Sequence, residues 1–189
     1  MKTLRRYGAR LLVALLLTLA AYNAGASSGS EAGTTWTLRV PGFNDLSSVT
    51  YGNGLFVAVG EFHDGGTILT SPDGVNWTQR VPGTSNDLES VGYGNNTFVA
   101  VGRFGTIVTS QDGVNWTQRA SKTVNNLYGV AYGNGIFVAV GEGGTILTSP
   151  DGVNWTVQTS PTRAFLISVT YGNGTFVAVA SSGTILTSP

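Results

Sequence analysis

A sequence unit of about 40 residues occurs four times, and this repeat constrains the fold more than any other feature of the chain. The tripeptide Tyr-Gly-Asn begins at Tyr51, Tyr93, Tyr132 and Tyr171, so successive copies are 42, 39 and 39 residues apart. Each copy is followed by Phe-Val-Ala-Val and then by Thr-Ile-Leu-Thr or Thr-Ile-Val-Thr. Self-similarity at such a period indicates one supersecondary unit repeated along the chain.

Each unit contains four short runs of strand-forming residues. In the first unit these runs are Leu46–Tyr51, Leu55–Val59, Thr67–Thr70 and Asn76–Val81. They are rich in β-branched and aromatic residues, and Gly-Asn-Gly, Gly-Gly and Asp-Gly turn signals separate them. The units show no helical periodicity. The pattern therefore predicts an all-β fold, a β-propeller of four blades with four strands each.

The phase of the repeat leaves the closure of the ring open. The predicted blades span residues 46–81, 88–120, 127–158 and 166–189, and the last of them lacks a fourth strand. Thr34–Val40 resembles a fourth strand, and by pairing with the last blade it would close the ring and remove exposed sheet edges. The alternative is that the chain is a truncated piece of a larger propeller. Both readings fit the sequence.

The first 26 residues have the pattern of a secretory signal peptide. A basic start precedes the apolar run Leu11–Ala21, and small residues follow up to Ala26. This run is shorter than the roughly 20 residues of an ordinary membrane-spanning helix. We expect cleavage after Ala26, export to the periplasm or the cell exterior, and no stable membrane insertion afterwards. An uncleaved anchor and a twin-arginine signal are the alternatives.

Charge and composition narrow the classes of partner. The full chain has 10 basic and 10 acidic residues, and cleavage would remove four basic ones, which leaves a net charge of −4. Nucleic-acid binders carry basic patches, so we expect no nucleic-acid partner. The chain has no Cys, which excludes disulfides and thiolate metal sites, and we expect no cofactor and no bound metal. The small polar residues of Ser27–Thr35 predict a flexible linker.

An eight-residue motif lies between the third and fourth strand of the first three units: Ser71–Thr78, Ser110–Thr117 and Ser149–Thr156. Its Asp can accept hydrogen bonds from the turn backbone, its Gly allows positive φ, and its Trp can bury about 150–250 Å². The motif offers too few oxygens at suitable spacing for calcium. We therefore expect a structural role for these residues: Ser71, Asp73, Gly74, Trp77, Ser110, Asp112, Gly113, Trp116, Ser149, Asp151, Gly152 and Trp155.

The motif resembles a shortened Asp-box, also called the BNR repeat. Together with the strands before it, the region Trp36–Pro189 resembles the bacterial Asp-box propellers related to the photosystem II assembly factor family and the sialidase-like superfamily. The longer Asp-box has one residue between its Asp and its Gly, which is missing here. The resemblance implies that these motifs lie on the outer rim of the propeller, away from the ligand.

The variable loops predict where a ligand would bind. The invariant turns of a four-stranded unit share one edge, so the variable second-to-third strand turn and the crossover to the next blade share the opposite edge, here called the variable edge. Loops on a rigid scaffold commonly carry binding residues. The candidates are Phe43, Asp45, Glu61, Phe62, His63, Asp64, Asp87, Glu89, Arg103, Phe104, Tyr128, Glu142, Arg163 and Phe165.

No catalytic constellation stands out among these candidates. A sialidase needs an arginine cluster, a Tyr–Glu nucleophile pair and an acidic proton donor, and several arginines here simply recur with the blades. His63, within the single insertion Glu61–Asp64, has no recurring partner. We therefore expect a non-catalytic scaffold for a protein or glycan ligand, with oligomers if the ring is incomplete. The alternative is a carbohydrate-active enzyme, sialidase-like, or a lectin that uses the variable edge.

Overall fold

A computed structural model of the chain describes residues 33–39, 45–62 and 65–189. The chain divides into two compact units, Met1–Thr37 and Leu38–Pro189. Within the part Met1–Thr37, the indole Nε1 of Trp36 donates a hydrogen bond to the carbonyl oxygen of Gly33 at 3.0 Å. The expected signal peptide lies outside the described residues. Within those residues, no helix has the length and apolar character that crossing a bilayer requires.

Four antiparallel sheets form the part Leu38–Pro189, which confirms the prediction of an all-β, propeller-like fold. The first blade consists of β1 (Asp45–Gly52), β2 (Leu55–Phe62), β3 (Gly65–Ser71) and β4 (Thr78–Arg80). The second consists of β5 (Leu88–Gly94), β6 (Thr97–Gly102), β7 (Ile107–Ser110) and β8 (Thr117–Arg119). The third consists of β9 (Leu127–Gly133), β10 (Ile136–Gly141), β11 (Ile146–Ser149) and β12 (Thr156–Gln158).

The fourth blade has three strands in the described part of the chain: β13 (Leu166–Gly172), β14 (Thr175–Ala180) and β15 (Ile185–Ser188). Each of the last three blades also has a short 3-10 turn between its second and third strands: Arg103–Gly105, Glu142–Gly144 and Ser181–Gly183. In every sheet the strands are paired in chain order. Each blade is therefore a simple antiparallel meander.

The first hairpin of each blade is a two-residue turn. In the first blade Gly52 pairs with Leu55, and the intervening Asn53 and Gly54 have φ of 49° and 73°. Two successive residues at positive φ match the type I′ geometry, whose twist suits a β-hairpin and which favours Asn-Gly. The repeated Tyr-Gly-Asn segment thus sets the register of each blade through its turn.

Blades pack through their first strands. β1 packs on β5, β5 on β9, and β9 on β13, whereas no comparable packing joins the first blade to the fourth among the described residues. Three apolar clusters fill the three interfaces between successive blades. The contacts therefore leave one face of the first blade and one face of the fourth without a neighbouring blade.

The expected strand at Thr34–Val40 is not observed. Thr34–Arg39 has no strand assignment, Val40 lies outside the described residues, and Trp36 and Leu38 are 88% and 82% exposed. A strand forms only where a neighbouring edge accepts its backbone hydrogen bonds, so β-propensity alone does not specify one. Pairing of this segment with the fourth blade therefore stays a prediction.

Candidate functional site

The repeated Asp-Gly turn is organised around its carboxylate. In the first blade the backbone N–H groups of Val75 and Asn76 both donate to Asp73 Oδ1 at 2.8 Å. The Asn76 side chain donates to Asp73 Oδ2 at 2.8 Å, and the Ser71 hydroxyl donates to Oδ1 at 2.9 Å. The same four bonds recur around Asp112 and Asp151. The Asp side chain of the motif therefore accepts the hydrogen bonds of the turn's own backbone N–H groups.

These hydrogen bonds favour the ionised carboxylate. The backbone N–H of Asn76 is the main cause that holds the pKa of Asp73 far below its ordinary value, and Asn115 acts in the same way on Asp112. For Asp151 the backbone N–H of Asn154 lowers the pKa, while partial burial opposes it. The three carboxylates stay charged at neutral pH, and their lone pairs are engaged within the turn.

Asp151→Asn is expected to reduce stability at neutral pH by about 1 kcal/mol, a value discounted for solvent exposure. Since the folded pKa is depressed, this contribution is present above the unfolded pKa of about 4 and is lost as pH falls below it. Urea unfolding at pH 7 and pH 2 measures the difference between Asp151→Asn and the unsubstituted chain, which should shrink at pH 2. Asp45→Asn, an exposed carboxylate outside the turn, is the control. An equal difference at both pH values would contradict the proposed role of the charge.

The Trp of each turn packs toward the preceding blade. Trp155 is 1% exposed and belongs to the cluster between the second and third blades, and Trp116 is 9% exposed in the cluster between the first and second. Each indole N–H also donates to the carbonyl oxygen of its own turn glycine. Trp77 is only half-buried, because no blade precedes the first one among the described residues. The motif's contribution thus depends on the position of its blade.

A shallow cavity of about 350 Å³ lies at the same edge as these turns, between the second and third blades. Nothing in the sequence pattern indicates this cavity, because its lining comes from repeated residues that look purely structural. The lining is mainly polar and includes two of the turn carboxylates and one guanidinium: Thr97, Thr109, Ser110, Gln111, Asp112, Asn115, Thr117, Arg119, Asp151 and Val153. Arg119 already donates from Nε to Thr109 Oγ1 at 2.9 Å, so part of its guanidinium is hydrogen-bonded to another residue of the cavity lining.

On the variable edge, three predicted carboxylates surround Arg103. Its guanidinium lies 3.3 Å from Glu61, 3.2 Å from Asp87 and 3.3 Å from Glu89. Glu61 comes from the first blade, while the other members come from the second. The hydrogen bond with Glu89 is the main cause that raises the pKa of Arg103, so this residue keeps its charge. The group, here called the Arg103 cluster, carries three negative charges and one positive charge.

Phe104 projects beside this cluster. Its side chain is 69% exposed, and its backbone has φ of 55° inside the turn Arg103–Gly105. Gly143 and Ser182 occupy the equivalent positions of the third and fourth blades, at φ of 63° and 64°. A bulky residue at positive φ is strained. The Phe104 N–H donates to Asn126 Oδ1 at 2.9 Å, which holds the turn against the third blade.

Other residues of the variable edge brace the loops. Asn86 donates from Nδ2 to Thr106 Oγ1 at 2.8 Å, and Asn125 makes the equivalent bond to Thr145 at 2.9 Å. The backbone N–H of Asn126 faces Glu142 Oε2 at 3.5 Å. These contacts link each crossover to the 3-10 turn of the following blade, so the edge is a connected surface.

The structure gathers part of the predicted set. Glu61, Asp87, Glu89 and Arg103 form one cluster, with Phe104 next to Arg103 in the chain, and Glu142 meets Asn126. Asp45 is exposed and pairs with Glu61 across β1 and β2, whereas no described contact joins exposed Arg163 and Phe165 or half-buried Tyr128 to the cluster. Phe62 ends β2, whereas Phe43, His63 and Asp64 lie outside the described residues. The described residues contain no group of His, Cys, Asp or Glu that could hold a metal ion.

A family model matches residues 44–165, with the description "DUF6242 beta propeller domain". The chain belongs to this family. The match spans the first three blades completely, so the matched part of the family domain consists of three repeat units. A comparison with curated proteins finds no match.

Solved structures similar to this DUF6242 propeller share its fold at low identity. YCF48 from Cyanidioschyzon merolae is 18% identical, with a TM-score of 0.61 over 76% of this chain and 50% of that chain. A structure described as YCF48 bound to D1 peptide is 22% identical, with a TM-score of 0.62 over 80% and 54%. The computationally designed Ika4 protein is 14% identical, with a TM-score of 0.59 over 77% and 91%. The chain spans about half the length of the YCF48 chains.

Proposed function

We propose that this chain is a non-catalytic scaffold that binds a protein segment at its variable edge. The propeller fold, shared with a YCF48 structure that is bound to a D1 peptide, supports a protein ligand rather than a small molecule. Function on such a fold depends on particular side chains rather than on the fold itself. The observation that carries the proposal is the exposed Phe104 beside the acidic Arg103 cluster.

The chemistry of this surface favours a basic segment with an apolar anchor. The three carboxylates exceed the single guanidinium by two negative charges, and all four side chains remain accessible to solvent. A Lys or Arg of a ligand could contact the carboxylates while an apolar side chain packs on the Phe104 ring. Such complementarity of charge gives specificity, and a central aromatic residue is a common source of binding energy.

The strained backbone at Phe104 supports a functional role for its side chain. Glycine would fit the same turn without strain, as Gly143 does in the third blade. The chain therefore keeps a large apolar side chain at a position that is unfavourable for folding and exposed to water. A ligand that covers the ring offers a physical reason for this choice.

Phe104→Gly is expected to weaken peptide binding by at least about tenfold while stability stays equal or rises, because the strain is removed. The probe is a random twelve-residue peptide library displayed on phage and panned against the chain, with the enriched peptides measured by calorimetry. Enriched peptides should carry Lys or Arg next to an apolar residue. Glu61→Gln should weaken binding of the same peptides and make that binding less dependent on salt concentration, because one attracting charge is lost.

The matched control is Val114→Ala, an exposed apolar residue in the Asp-Gly turn at the opposite edge. It should leave peptide binding unchanged. Enrichment of acidic peptides, or equal losses from Phe104→Gly and Val114→Ala, would contradict the proposed surface. Turnover in a panel of glycosidase substrates, abolished by Glu61→Gln, would instead favour the carbohydrate-active alternative. Export to the periplasm or cell exterior remains part of the proposal, on the strength of the sequence of Met1–Ala26 alone.

A further inference from the structure

The three interfaces between successive blades repeat one contact. The Tyr that begins each Tyr-Gly-Asn segment lies with its ring against a glycine of the preceding blade: Tyr93 against Gly52, Tyr132 against Gly94, and Tyr171 against Gly133. A Cβ on these glycines would lie 2.1, 2.0 and 2.0 Å from the ring Cγ. The first two interfaces also share a hydrogen bond, from the N–H of Val91 or Val130 to a Ser hydroxyl of the preceding blade.

The fourth blade presents the glycine side of this contact, and no tyrosine ring covers it in the described part of the chain. A Cβ on Gly172 would meet no atom within 4 Å. Val179 is 42% exposed, whereas its counterparts Val59, Val101 and Val140 are 0%, 0% and 1% exposed. The open face thus repeats the glycine and valine positions that the first three blades bury.

The first blade presents the tyrosine side, and no glycine of another blade covers it among the described residues. Tyr51 is 58% exposed and its ring centroid lies 4.6 Å from that of Phe56, which in turn lies 6.5 Å from that of Trp77. In the second blade the counterparts are partly buried Tyr93 and buried Phe98 and Trp116, which are spaced by 4.6 and 6.4 Å. The aromatic side is therefore already in the geometry that it has inside the molecule.

We infer that the first blade of one copy of this chain packs on the fourth blade of a second copy. The two open faces are the two halves of an interface that the chain already forms three times, so a second copy supplies the matching shape at both ends. The contact is head-to-tail, and it forms a closed ring only if the rotations between successive blades add up to a full turn. Propellers have about four to eight blades, so two copies of the four described blades fit the upper end of this range. The expected assembly is a dimer.

The experiment measures the molar mass of the full chain by light scattering over a wide range of concentration. The unsubstituted chain should approach twice the mass of one chain. Gly172→Ala should remove the dimer, because its Cβ would meet the Tyr51 ring of the second copy, and Tyr51→Ala should remove it by deleting that ring. Val124→Ala, an exposed apolar change in the crossover between the second and third blades, is the control and should leave the dimer intact.

A mixture of the two variants gives a sharper test. Tyr51→Ala keeps an intact fourth blade and Gly172→Ala keeps an intact first blade, so equal amounts should form a one-to-one pair although neither variant associates alone. Circular dichroism at low concentration should show both variants folded, since each change lies on an exposed face. A chain that stays monomeric at every concentration would overturn the inference. So would a dimer that survives both substitutions, or a monomer whose melting temperature falls with Gly172→Ala, which would indicate closure within one chain.

Discussion

Trp155→Ala is expected to lower the free energy of unfolding by about 3–5 kcal/mol, the largest effect of any single change in the Asp-Gly turns. The side chain is 1% exposed and packs in the cluster between the second and third blades, with Val99 and Phe137 among its members. Alanine would leave a cavity in that interface, since strands on both sides hold the surrounding side chains in place. Urea denaturation followed by circular dichroism measures the loss.

Trp36→Ala provides the matched control for Trp155→Ala. The same atoms are removed, but Trp36 is 88% exposed, so the expected change is within about 0.5 kcal/mol. Trp116→Ala should fall near the Trp155 value and Trp77→Ala between the two extremes, in the order of their burial. Equal losses from Trp36→Ala and Trp155→Ala would show that the interface between blades is not the source of the stabilisation.

Gly133→Ala is expected to lower the free energy of unfolding by about 2–3 kcal/mol. Gly133 is buried at the end of β9, and its added Cβ would lie 2.0 Å from Cγ and 2.6 Å from Cβ of Tyr171. These are the atoms of the tyrosine nearest to its own backbone, so the ring can withdraw only if β13 moves away from β9. The same denaturation experiment, carried out at concentrations where the chain is monomeric, gives the value.

Gly172→Ala tests whether the neighbouring ring is the cause of that loss. It is the same change at the equivalent position of the fourth blade, where no atom lies within 4 Å of the added Cβ. The monomer should keep its stability within about 0.5 kcal/mol. If both alanine variants unfolded at the same urea concentration, intrinsic strand propensity rather than the Tyr171 contact would explain the Gly133 result.

Local sequence predicted much of the blade because the decisive signals are local. Asn53 and Gly54 specify a tight hairpin turn, and the alternation of turn residues with β-branched runs places the strands around it. The observed strands of the first blade begin and end within a few residues of the predicted ones. The Asp-Gly motif likewise satisfies its hydrogen bonds within a few residues, so its turn can be read from sequence.

Properties that depend on a neighbouring blade could not be predicted in the same way. Trp77 and Trp155 stand in nearly identical motifs, yet within the described residues only Trp155 has a preceding blade to pack against. Thr34–Val40 has the residues of a strand, yet residues 34–39 carry no strand assignment. The Arg103 cluster needs Glu61 from another repeat, and the 350 Å³ cavity lies between two repeats. Sequence patterns within one unit contain no information on these distances.

The contact between tyrosine and glycine also bears on how such a chain can grow. Every blade carries the ring on one side and the glycine on the other, so a unit duplicated in place would meet a matching partner at both of its new junctions. Lengthening the protein by whole repeats then requires no compensating substitution in the blades already present, because each one contacts only its two neighbours. Adding a whole blade therefore disturbs the packing between blades less than the single methyl group that Gly133→Ala would add.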